Sequence, residues 1–373
     1  MTQAAALRAP ATTVFLARAW VPAVILLAGS GSTLVGLAWD LQWHNEVGPD
    51  TFFTLPHLFI YAGSAISGLV SLAVVLAATT ATRSGSDVDT GVGGRRVAVF
   101  GVFQAPVGYL VSGVGSALFL LYGLWDEWWH GLYGFDAVIG SPPHVGLLTS
   151  SMLAMVGSVM TCAAATGQRW ARPALVASLT ILLGFSMVVL VALPATGSVD
   201  GRTVTVALLS MTALACVASF TDSLRTALAV ALTHLAIQVG FAVFGPWATR
   251  LYAASEGLPL RDYTRGLPVM SMLMPATLVL GVGALGLAAL LTRRTGPSVA
   301  RFAAAGALGG AALAATFPSQ SLLFGADRAT MIGESDLIVT ILVAALVGAA
   351  GGMVGDRLGG ALRLLTGGDR TVS

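Results

Sequence analysis

The run HLFIYAGSAISGLVSLAVVLAATT, residues 57–80, contains no Asp, Glu, Lys or Arg. A helix rises about 1.5 Å per residue, so roughly 20 apolar residues cross the hydrocarbon core of a bilayer, and this run is long enough to do so. Runs of the same kind lie at 19–39, 98–125, 144–166, 174–194, 203–220, 226–246, 268–291, 300–317 and 336–353. The chain as a whole has 373 residues, 56% of them hydrophobic and only 10% charged. Its mean hydropathy is +0.84. A water-soluble globular domain does not reach these values. The sequence therefore predicts an all-α fold, a polytopic transmembrane helix bundle of about ten spans with the lipid bilayer as its first partner.

Arginines mark the turns. Arg8 and Arg18 precede the first run, and Arg83, Arg95 and Arg96 separate the second from the third. Arg169 and Arg172, Arg225, Arg293 and Arg294, and Arg357 and Arg363 follow at alternate turns. The positive-inside rule then puts both termini in the cytoplasm of a multi-pass plasma (inner) membrane protein. One stretch disagrees: residues 247–267 carry Arg250, Arg261 and Arg265 on the side read as outer. Either a folded external element lies there or a helix is miscounted. Residues 1–15 are Ala-rich with Arg8, but the first run carries a metal-type residue at its end and reads as an uncleaved anchor. The stretch Thr82 to Gly94 reads as a flexible cytoplasmic loop. Gly167 to Pro173 divides a four-helix unit, residues 1–166, from residues 167–373. The later helices are rich in Ala, Gly and Leu, and Gly309, Gly310, Gly348, Gly351 and Gly352 predict close helix packing in a scaffold.

The net charge of +2 has no basic face, which excludes nucleic acid as a partner. Cys162 and Cys216 fall inside apolar runs and offer neither a disulfide nor a thiolate site. No flavin, haem or nucleotide motif is present, since Gly91-Val92-Gly93 has Arg96 where a dinucleotide fingerprint needs its third glycine.

The chemistry lies in a repeat. Trp39-Asp40-Leu41-Gln42-Trp43-His44 continues through Asp50 to Pro56-His57, and Trp125-Asp126-Glu127-Trp128-Trp129-His130 continues through Asp136 to Pro143-His144. Four of the five histidines occupy matched places. Asp and His four apart share one helix face, so Asp40 with His44, and Asp126 with His130, can each address one ion. The proline suits the first turn of the next helix and sets His57 or His144 beside it as the third ligand. A helix C-terminus favours a cation, and a helix N-terminus keeps imidazole neutral and able to ligate. Trp and His at helix ends also occur in the interfacial aromatic belt, but two matched copies argue for metal. Copper, zinc and iron all suit such donors, and the Irving–Williams order favours copper.

Asp50 and Asp136 either orient a ligand histidine or form a turn. Trp43, Trp129 and Glu127 flank the clusters as supporting residues, and Glu46 and Glu127 read as proton-transfer groups or solvated loop acids. His234, alone in the seventh run, is left outside the site. Met152, Met155 and Met160 read as core packing.

At these residues the chain resembles the C subunit of the copper-dependent membrane monooxygenases, the group of particulate methane and ammonia monooxygenases. Asp40, Trp43, His44, Asp50, Thr51, Phe53, Thr54 and His57 are similar to its first copper motif, and Asp126, Glu127, Trp128, His130, Pro143 and His144 to its second. The resemblance covers residues 36–150 and implies two neighbouring copper sites near the outer side of the membrane, with oxygen chemistry there. Asp126 stands where that family normally has an asparagine. The helices after Pro173 do not resemble that subunit and read as scaffold or as a replacement for partner subunits. Three functions follow: a copper enzyme that hydroxylates a small apolar substrate, a non-catalytic protein for copper capture, sensing or delivery, or a structural subunit with vestigial sites. The enzyme reading needs an external electron donor. A homo-oligomer and other monooxygenase-type subunits are the protein partners the resemblance allows.

Overall fold

The computed structural model describes residues 18–366 apart from 87–88, 90, 135–138, 194–196, 265, 293–297 and 327–335. Arg8, Asp136, Arg265, Arg293 and Arg294 lie outside the described residues. Among those described, ten helical segments are long and apolar enough to cross a membrane. The repeat occupies two helical hairpins, α1 (Trp20–Glu46) with α2 (Leu55–Arg83) and α3 (Val107–Tyr133) with α4 (Pro142–Ala164). The fifth span combines α5 (Ala171–Ser186) and the short α6 (Val189–Ala192); α7 (Gly201–Thr221) and α8 (Leu224–Glu256) follow. The eighth is broken, with a 3-10 turn at Asp262–Thr264, α9 (Val269–Leu273) and α10 (Leu278–Leu291). Helix α11 (Ser298–Thr316) continues as a 3-10 helix, Phe317–Phe324, and α12 (Leu337–Arg363) completes the bundle.

One sequence boundary moves. The run from residue 98 is not helical at its start: β1 (Arg96–Val99) and β2 (Phe103–Pro106) pair antiparallel, Val97 opposite Ala105. Phe100 and Gly101 turn the chain with φ of 53° and 68°, and β-branched Val97 and Val99 suit an extended strand. Helix α3 begins after Pro106, which has no amide hydrogen to contribute to the helix.

Glycines set the spacing within each hairpin. A Cβ on Gly36 would lie 2.8 Å from Ile60 N and 2.9 Å from Pro56 O, and one on Gly63 would lie 2.7 Å from Thr33 N. In the second hairpin a Cβ on Gly115 would stand 2.7 Å from Ser150 O. With no hydrophobic force between helices in lipid, such close backbone approach supplies the packing. It brings the last turn of α1 beside the first turn of α2, and of α3 beside α4. The later helices pack the same way: a Cβ on Gly310 would lie 3.1 Å from Gly348 Cα, and one on Gly351 2.8 Å from Leu208 O.

The two halves of the chain share one apolar core, running from Leu34 and Leu37 of α1 through Met155, Leu175, Leu214 and Val230 to Leu285. The described part of the charged stretch 247–267 is a folded element that docks on the end of α1, so the count of ten stands. Arg261 N donates to Glu46 O at 2.7 Å, and its guanidinium donates to His44 O at 2.8 Å. Gln42 donates to Leu267 O and accepts from Val269 N, both at 2.9 Å. The Arg261 bonds satisfy carbonyls that a helix C-terminus leaves open and set positive charge at its negative end.

Gly63→Leu is expected to force α1 and α2 apart and to lower stability in detergent by about 1–3 kcal/mol or more. Gly283, whose Cβ would meet nothing within 4 Å, gives the control, and Gly283→Ala is expected to leave the unfolding midpoint unchanged. Equal midpoints for the two variants would contradict this packing.

Candidate metal centre

Helix α1 starts at Trp20, and about 20 residues exhaust the hydrocarbon thickness. Asp40 and His44 therefore lie about one bilayer thickness along the helix from its start, on the last two turns. The chain returns through residues 47–54 into α2, where Pro56 occupies the first turn and His57 follows. Trp43 Nε1 donates to Pro49 O at 2.7 Å and closes this connection. The side chains of Asp40, His44, Asp50 and His57 converge, with donor atoms all within 4.8 Å of one another. His44 Nε2 lies 3.6 Å from Asp40 Oδ1 and 3.1 Å from Asp50 Oδ2. His57 Nε2 lies 3.0 Å from Asp40 Oδ1 and 3.4 Å from Asp50 Oδ2.

The second hairpin repeats the arrangement. Asp126, His130 and His144 form a group of the same kind, with both Nε2 atoms 3.5 Å from Asp126 Oδ1. Ser141 caps α4 and receives His144 N. The prolines at 142 and 143 fix the first turn and present His144 just inside it.

The orientation of the rings decides what these groups can do. His57 Nδ1 is 3.1 Å from Thr51 O, and His130 Nδ1 is 3.0 Å from Gly134 O. A carbonyl only accepts, so in each ring Nδ1 carries the hydrogen, and in the neutral ring Nε2 holds a lone pair. His144 Nδ1 lies 2.9 Å from Ser141 Oγ, again leaving Nε2 toward the cluster. Those lone pairs face carboxylate oxygens. Asp40 Oδ1 and Asp126 Oδ1 are buried and accept no hydrogen bond, so the 3.0 Å approach of His57 Nε2 to Asp40 is a near contact without hydrogen-bond alignment. In the neutral rings lone pair and anion repel unless a cation lies between them, whereas a protonated ring would itself pair with the carboxylate. A tetrahedral ion with bonds of about 2.0–2.2 Å sets its donors roughly 3.3–3.6 Å apart, close to the 3.0–3.6 Å observed. The residues fit a nitrogen- and oxygen-ligated transition metal, and engaged Nδ1 atoms are the usual support for ligating imidazoles.

Burial opposes ionisation of Asp50, but its bond to His44, the charge of His57 and the Thr54 hydroxyl outweigh it and hold the carboxyl below the usual range. Asp50 touches Nε2 rather than Nδ1, which places it inside the cluster as a fourth donor and not as a turn residue behind it. Its counterpart Asp136 lies outside the described residues.

The flanking residues divide. Trp43 is buried against Tyr252, with ring centroids 4.7 Å apart, and supports the loop rather than a histidine. Trp129 packs against Tyr133, with ring centroids 4.5 Å apart and the planes tilted by 42°. Glu127 is exposed. Glu46 is not a solvated acid: it is buried and lies in the field of Arg250. His234 is fully buried in α8, has no hydrogen-bond partner for either ring nitrogen among the described residues and belongs to neither cluster.

Both clusters open into a single cavity of about 630 Å³. Its wall includes Leu37, Ile60, Tyr61, Phe119 and Leu147 of the two hairpins, and Phe185, Val191 and Val269 from the second half of the chain. Sequence reasoning missed Ser141 and Tyr61, and it named Thr51 and Arg261 without their contacts to the first cluster. Ser141 carries a legible signal, a serine just before a Pro-Pro helix start; Arg261 is 217 residues from the carbonyl it binds and carries none. No protein-family model, curated protein or solved structure matches the chain.

Removing the Arg261 clamp is expected to loosen the first cluster alone. In Arg261→Ala, amide hydrogen exchange over residues 42–48 should rise roughly tenfold, the size of a lost charge-assisted hydrogen bond, while residues 126–134 stay protected. Equal change in both regions, or in neither, would contradict the clamp.

Proposed function

We propose that this protein is a membrane-embedded copper protein whose two sites serve one reaction chamber, oxidising a small apolar molecule with dioxygen and electrons from an external donor. The carrying observation is the common cavity: two imidazole-carboxylate clusters and an apolar wall bound the same space. Asp40, His44, Asp50 and His57 would hold one ion and Asp126, His130 and His144 the other. Copper, when bound, supplies one-electron chemistry with oxygen. It is favoured over zinc and iron by the donor set, by the Irving–Williams order and by the resemblance of residues 36–150 to the copper monooxygenase C subunit.

The chain's own residues supply positioning and exclusion of water. The carbonyls of Thr51 and Gly134 fix the tautomers of His57 and His130, so these two rings offer Nε2 without a reorganisation cost, and Ser141 Oγ holds the orientation of His144. Leu37, Ile60, Phe119 and Phe185 make a surface that accepts an apolar guest and disfavours a hydrated one. The second cluster offers three donors among the described residues, which leaves positions for an exogenous ligand. The arginine pattern supports placing both clusters on the outer face of the plasma (inner) membrane, with the termini inside. A second copy or monooxygenase-type subunits would complete the assembly.

One observation favours a second reading. The first cluster offers four donors against three in the second, which would leave it fewer open positions and suits capture or delivery of copper more than turnover.

Protein purified in lipid nanodiscs and loaded with copper is expected to hold two ions per chain by elemental analysis. His44→Ala and His130→Ala should each remove about one, with loss of copper-dependent oxygen uptake. Full copper with no oxygen uptake under any reductant would select the second reading. Selective loading by zinc or iron would change the metal, and no metal uptake in the wild type would end both readings.

A further inference from the structure

Tyr61 lies one turn beyond His57 on α2, and its ring centroid is 6.0 Å from that imidazole. On its other side Phe119 of α3, two turns before Asp126, stands at 6.2 Å. The tyrosine is half-buried in the cavity wall between the two hairpins. Its phenol feels the carboxylates of Asp126, Asp50 and Asp40, so it is within electrostatic reach of both clusters. No hydrogen bond ties its hydroxyl to another described residue.

Among the described residues the wall contains carboxylates from both clusters and no Lys or Arg. An anion entering this space is repelled by those carboxylates, and a metal ion alone offsets the repulsion only in part. A neutral donor adds attraction without bringing a competing charge, and in a space of low dielectric its bond to an anion is strong. Apart from the histidines, the side-chain donors of the wall are Asn45, Tyr61 and Ser151. Asn45 adjoins His44 and Ser151 lies two turns beyond His144, whereas the ring neighbours of Tyr61 come from both hairpins.

We infer that the Tyr61 hydroxyl is a hydrogen-bond donor shared by the two clusters, holding a small anionic ligand at whichever metal carries it. The inference rests on the reading of the clusters as metal sites and adds a ligand-binding residue common to both. Tyr61 is then the element that makes two centres one compound site.

The test uses azide as probe on full-length, copper-loaded protein in nanodiscs. Tyr61→Phe is placed in a His130→Ala background, which keeps the first cluster, and in a His44→Ala background, which keeps the second. Copper content is read by elemental analysis and azide affinity by the charge-transfer absorption band and by EPR. The expected result is unchanged copper in every Tyr61→Phe protein, with azide bound about tenfold more weakly in both backgrounds. Ser151→Ala is expected to leave azide affinity unchanged. Unaltered azide affinity, or weakening in one background only, overturns the shared role while leaving the metal reading intact. Absence of copper from the wild type overturns both.

Discussion

A carboxylate oxygen that is buried and accepts no hydrogen bond has to be neutralised, and the bundle holds two such atoms in equivalent places, Asp40 Oδ1 and Asp126 Oδ1. Burying an isolated charge is costly enough that proteins pair it, protonate it or give it a metal. Here the nearest partners are imidazole nitrogens whose other ring nitrogens are already engaged by Thr51, Gly134 and Ser141. The surrounding structure serves this juxtaposition. Glycines at the α1–α2 and α3–α4 crossings let the backbones meet, the prolines start α2 and α4 next to their histidines, and the Trp43–Pro49 bond closes the first connection.

The second half of the chain has a more specific part than that of a surrounding scaffold. Phe185, Val191 and Val269 complete the cavity wall, and Arg261 reaches back to the backbone of the first cluster. Gly48, with φ of 100°, leaves the space in which that guanidinium lies. The ends of α1 and α8 are thereby joined through the loop that carries Arg261. Charge that contradicts a simple loop count has a structural purpose here, as a cap on a helix C-terminus.

Much of this was legible in the sequence, because the signals were periodic or repeated. Ten apolar runs correspond to ten spans, and the Asp-x-x-x-His spacing followed by Pro-His was enough to assemble both clusters. The legible part stopped where contacts became non-local. Asp50 reads from the sequence either as a residue that orients a ligand histidine or as a turn former, and only the closure of the α1–α2 loop carries its carboxylate to Nε2 of His44. Glu46 reads as a loop acid because Arg250, the charge that faces it, is two hundred residues away. The start of α3 was misplaced because apolar β-branched residues at 97–99 continue an apolar run without continuing its helix. Tyr61 has no motif at all, and its position between the clusters comes from the packing of α2 on α3.

Anomalous scattering from crystals of the copper-loaded protein, recorded on both sides of the copper absorption edge, tests the central claim most directly. The account predicts two peaks: one enclosed by Asp40, His44, Asp50 and His57, and one by Asp126, His130 and His144, both bordering the same cavity. Copper elsewhere in the bundle, or ordered clusters without a peak, would contradict it.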